Sequence, residues 1–183
     1  MLHKNIFRSL AIAATVFTLQ ANAQTVQVGG EAMYPAKNIV ENAVNSKEHT
    51  TLVAAVKAAD LVATLQTAGP FTVFAPVNNA FEDLPEGTVE TLLKPANKGQ
   101  LSAVLTYHVL PGKYDFDALA KAIKAGKGTA KIKTVQGGEL RFMMNGPRNI
   151  TVTDAKGNTA NISTYDVYQS NGVIQVIDRV LLP

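Results

Sequence analysis

The sequence predicts an α+β domain, with a layer of helices from its N-terminal half packed on mostly antiparallel strands from its C-terminal half. Three observations predict it. From Asn38 to Ala125, apolar residues recur at helical spacing, interrupted by one short apolar run, Phe71–Ala75. Beyond Gly126 and Gly128 the period drops to two, and Gly137-Gly138, Asn145-Gly146, Lys156-Gly157-Asn158 and Asn171-Gly172 punctuate the chain as turns. The 183 residues are 46% hydrophobic and 17% charged, enough apolar mass for one sizeable core.

The elements follow in order. Gln24 to Pro35 has little periodicity and reads as an extended lead-in, so that residues 24–36 precede a domain spanning 37–183. Ile39, Val40, Ala43 and Val44 form the face of a first helix. Thr50 or Thr51 caps a second, with Leu52, Val53, Val56 and Ala59 at helical spacing. Asp60 caps a third, which Gly69-Pro70 stops. Phe71–Ala75 lacks strict alternation, as a strand buried on both faces does. Asn78 caps a turn carrying Phe81; Pro85 and Thr88 open a helix, Asn97 caps another through Leu105, and Asp115 caps one reaching Ala125. Strands are expected at 130–135, 139–144, 150–153, 159–163, 166–169 and 173–177.

Residues 1–23 carry the three parts of a secretory signal peptide. Lys4 and Arg8 make a positive n-region, Ser9–Leu19 an apolar stretch, and Ala21-Asn22-Ala23 a cleavage site with Gln24 as the new N-terminus. The apolar stretch is too short for a bilayer core, which takes roughly 20 helical residues. No later segment reads as transmembrane, so the expected location is exported, periplasmic or secreted. This changes the meaning of the charge. The chain has 17 basic against 14 acidic side chains, net +3, and a pI near 9.1. Cleavage removes Lys4 and Arg8, leaving 15 against 14. Basicity is then a property of the leader and gives no reason to expect a nucleic-acid partner.

Chemistry-bearing patterns are sparse. With no cysteine, disulfides, thiolate metal sites and a cysteine nucleophile are excluded. No HExxH, EF-hand, GxSxG, Walker or GxGxxG pattern occurs, so no catalytic, cofactor-binding or metal residue is assigned and the chain is not expected to be an enzyme. Asp115 and Asp117 read as the negatively charged start of a helix. Lys121, Lys124 and Lys127 suit a helix C-terminus, and Lys131 and Lys133 the solvent face of a strand. Asn149 and Asn161 begin glycosylation sequons that also fit exposed strand positions. A hydrolase would need His108 beside Asp115 or Asp117. Phe142-Met143-Met144 offers an adaptable apolar feature for a small ligand in a groove between sheet and helices, although alternation puts the two Met side chains on opposite faces.

Three segments together resemble the fasciclin (FAS1) domain family. Gly69-Pro-Phe-Thr-Val-Phe-Ala-Pro-Val-Asn-Asn-Ala-Phe81 is similar to its first signature box, and Leu105-Thr-Tyr-His-Val-Leu-Pro-Gly112 to its central Tyr-His motif. Asn171-Gly-Val-Ile-Gln-Val-Ile-Asp-Arg-Val-Leu-Leu-Pro183 is similar to the second box. The resemblance covers about residues 37–183. It implies a FAS1 fold, a β-sandwich-like wedge with a helical layer. It also implies a non-enzymatic exported module for cell adhesion or surface and matrix association, whose partner is a protein or polysaccharide. Tyr107 and His108 are the partner-binding residues it would carry over; a buried His bonded to backbone is the alternative. Gln175 stands where the second box commonly has His. Beside adhesion stands a second expectation, a periplasmic binding protein for an apolar small molecule or polysaccharide.

Overall fold

The computed structural model describes residues 25–183. The expected signal peptide, with its cleavage site at Ala23 and Gln24, lies outside the described residues.

The segment expected to be an extended lead-in is a hairpin. β1 (Val26–Val28) pairs antiparallel with β2 (Glu31–Met33) across Gly29 and Gly30, both in the left-handed region at φ 62° and 77°. Val28 and Met33 are buried, so the hairpin is part of the core. Next come α1 (Ile39–Ala43), α2 (Thr50–Ala58) and α3 (Val62–Leu65). α1 begins with a capping box: Glu41 N–H donates to Asn38 Oδ1 at 3.0 Å, and Asn38 N–H donates to Glu41 Oε2 at 2.8 Å. The cap of α2 is remote. Asn78 Oδ1 accepts from Thr51 N–H at 3.1 Å and from Thr50 Oγ1 at 3.2 Å. Asp60 does not cap α3; it sits at φ 56° and pairs with Lys98.

β3 (Phe71–Pro76) leads into α4 (Asn78–Glu82), α5 (Thr88–Leu92) and α6 (Lys98–Tyr107). Then follow β4 (Val109–Pro111) and α7 (Phe116–Ala125), where Asp115 Oδ1 accepts from Ala118 N–H at 3.0 Å as expected of its cap. The last strands are β5 (Thr129–Lys133), β6 (Glu139–Met144), β7 (Ile150–Thr153), β8 (Thr159–Gln169) and β9 (Gly172–Ile177). They join β3 and β4 in one seven-stranded sheet of order β4-β3-β9-β8-β7-β6-β5, parallel only between β3 and β9. The wedge is thus a single curled sheet. Its end strands approach until Val135 N–H donates to Val109 O at 2.7 Å, nearly closing a barrel.

The two strands expected at 159–163 and 166–169 are one bent strand. Register shifts between Ile162, Thr164 and Val167, with Asp166 at φ 56°, turn β8 from β7 towards β9. Gln175 holds that bend: its Oε1 accepts from Asp166 N–H at 3.0 Å, and its Nε2 donates to Asp166 Oδ1 at 2.9 Å and Tyr114 O at 3.1 Å. The curl divides the core. Val73, Ala75, Ile174 and Val176 face the helical layer with Leu52, Ala55 and Leu105. Phe74 and Ile177 face the interior of the curl with Tyr107, Leu119, Leu140, Phe142 and Val152. β3 is therefore buried on both faces, which explains its unbroken apolar run.

Candidate functional site

Tyr107 and His108 end α6, and both are buried, Tyr107 completely and His108 to 3% exposure. The Tyr107 hydroxyl donates to Glu139 O at 2.8 Å and accepts from Ala155 N–H at 2.9 Å, tying α6 to the β5–β6 and β7–β8 turns. His108 Nδ1–H donates to Val104 O at 2.8 Å, and Nε2 accepts from Leu181 N–H at 2.9 Å. These partners fix the tautomer. Burial lowers its pKa from 6.5 to about 4, outweighing the opposing Val104 bond and Asp154 charge. In this conformation neither side chain presents surface to a partner, and the ring has no free nitrogen for proton transfer to Asp115 or Asp117. What the pair does is join α6, the curl and the C-terminal segment.

One concave feature borders His108 but not Tyr107. α1, α2 and α3 stand away from the outer face of β3 and β4, leaving a cavity of about 260 Å³. Val40, Val53, Val56, Leu61, Leu65 and Phe71 are among its walls, with Val73 and Ile174 on the sheet side. Its lining is almost wholly apolar, with Lys57 the single charged member. Val44 and Val135, both lining residues, are 47% and 45% exposed. Such a cavity suits an apolar guest and supplies no polar constellation for chemistry.

The other candidates fall outside it. Met143 is 43% exposed, whereas Met144 packs against the inner core, so the two do face opposite ways; neither lines the cavity. Lys121, Lys124, Lys127, Lys131 and Lys133 are all exposed. Among the described residues no three potential metal ligands converge, and no helix is long and apolar enough to cross a membrane. Sequence reasoning missed one hub, Asn171, expected only to form a turn. Its Oδ1 accepts from Ile39 N–H at 3.0 Å, and its Nδ2 donates to Leu65 O and Thr67 O at 2.8 and 2.9 Å. It therefore fastens two walls of the cavity to β9. The only sequence signal was its place in the second box.

The fasciclin domain model matches residues 47–183. The chain belongs to the fasciclin family. The Synechocystis protein sll1483 is 45% identical, over 90% of this chain and 84% of its own. Human periostin is 29% identical over 90% of this chain, which spans only 18% of periostin; the Mycobacterium bovis immunogenic protein MPB70 is 34% identical over 77% of this chain and 66% of its own. A solved FAS1 domain pair from the insect cell adhesion molecule Fasciclin I superposes with a TM-score of 0.69 at 18% identity, covering 80% of this chain and 51% of that one. At that identity the likeness establishes the FAS1 fold. In this fasciclin domain the two signature boxes meet as the parallel β3–β9 pair. A Cβ on Gly69 would lie 2.2 Å from Asn171 O, and one on Gly172 would lie 2.1 Å from Phe71 O, so both glycines are required for the approach.

Proposed function

We propose that this fasciclin domain is a non-enzymatic, exported binding module that associates a cell with a surface or matrix, its partner a protein or polysaccharide. The observation that carries this reading is family membership, with a FAS1 pair of an insect cell adhesion molecule sharing the fold. The leader pattern at residues 1–23 supports export, and the proposed division of the chain is a leader at 1–23 and a domain at 37–183 to which the hairpin within 24–36 adds its buried Val28 and Met33. Tyr107 and His108 serve this module by holding its architecture. A deletion strain attaches less to solid surfaces and matrix coatings than its complemented counterpart. Equal attachment across several surfaces would contradict the proposal.

The cavity favours a second reading, binding of an apolar small molecule. An open apolar recess of this size costs stability unless something fills it. Protein purified without detergent or organic solvent retains a small apolar molecule. Its absence by mass spectrometry would count against this reading.

A further inference from the structure

The recess between the helical layer and the sheet defines its guest further, and the inference rests on the second reading above. Three features matter. The first is size: about 260 Å³ compares with the ~150 Å³ apolar cavity that holds a benzene ring, so by that ratio it takes a hydrocarbon of about ten carbons. The second is the wall. Val40, Val53, Val56, Leu61 and Leu65, all half-buried, make an aliphatic wall, and exposed Val44 and Val135 continue it to solvent. The third is charge. Lys57, on the last turn of α2, is the lone charged lining residue, exposed, and pairs with no carboxylate among the described residues. A cationic head would be repelled there, and a neutral one would gain nothing from the ammonium's charge.

We propose that the cavity binds the tail of a single-chain monocarboxylate, a fatty-acid anion of about ten carbons, with its carboxylate at the Lys57 ammonium. The aliphatic walls supply the affinity through burial. Lys57 sets the orientation and selects the sign of the head group, since one charge-assisted bond at an exposed mouth adds modestly to binding.

The test titrates decanoate, 1-decanol and decyltrimethylammonium into the purified protein by calorimetry, each below its micellar concentration. Decanoate binds one to one and more tightly than the other two. Lys57→Gln weakens decanoate about threefold and leaves decanol unchanged. Val40→Phe and Val56→Phe combined, checked for cooperative melting, occupy most of the cavity and abolish binding of both. Nuclear Overhauser contacts from the decanoate chain to the Val56 and Leu65 methyls place the tail in the unsubstituted protein. If decanoate and decanol bind equally and Lys57→Gln alters neither, the head-group proposal falls while the cavity reading stands. If no probe binds, or binding survives in the folded double variant without contacts to those methyls, both fall.

Discussion

Acidification destabilises this domain through His108. In the fold the ring is enclosed, donating from Nδ1 to Val104 O and accepting at Nε2 from Leu181 N–H, so a second proton would displace the Leu181 bond and bring an unsolvated charge into the core. The folded pKa is about 4, against 6.5 for an ordinary imidazole. Between those values the unfolded chain holds a proton that the folded chain does not. Stability is therefore complete above pH 6.5 and falls as the pH drops towards 4, by about 3 kcal/mol in full at 1.36 kcal/mol per pKa unit. His49 works in the same direction: it is buried, with Nδ1 accepting from Ser46 Oγ at 2.8 Å, and burial lowers its pKa too. The assay is urea unfolding at several pH values from 4.5 to 7, for the parent and for His108→Gln. The variant has lower stability overall, and its slope against pH is shallower by about 1.4 kcal/mol per unit, one proton's worth. An unchanged slope, or a His108 imidazole that titrates near 6.5 by NMR, would refute the reasoning.

Other expectations concern the joints. Asn171→Ala removes three side-chain bonds to backbone groups of α1 and the α3 end, and costs about 3 kcal/mol in urea unfolding; it also loosens the cavity walls, raising amide exchange in α1 and α3. Gly172→Ala places a methyl against Phe71 O in the parallel pair and costs about 3 kcal/mol or more, seen as a lowered melting temperature or loss of soluble protein. Tyr107→Phe keeps the buried ring but strands Ala155 N–H and Glu139 O, and costs about 1–2 kcal/mol by the same urea assay.

How much of this could be read in the sequence depended on how local the cause was. The Asp115 cap, the doubly buried β3 and the opposed Met143 and Met144 follow from spacing over a few residues, and the structure has them. The β1–β2 hairpin has strands of three residues each, too short for a period to register. β8 read as two strands because its bend interrupts the alternation, and what holds the bend is Gln175, on the neighbouring strand. The α2 cap comes from Asn78, 27 residues beyond Thr51. The cavity was the least legible feature. A sheet–helix groove was expected, but its position depends on how far three short helices stand from β3, and the Met pair pointed to the wrong face.

Beside its proposed surface association, this fasciclin domain is proposed to hold an apolar guest in the helix–sheet cavity. Native mass spectrometry of the protein isolated gently from its own cells tests that most directly. The predicted result is one noncovalent guest of single-chain fatty-acid mass on the parent, and none on the folded Val40→Phe/Val56→Phe double variant. The bare chain mass for both, or the same guest retained by both, would contradict it.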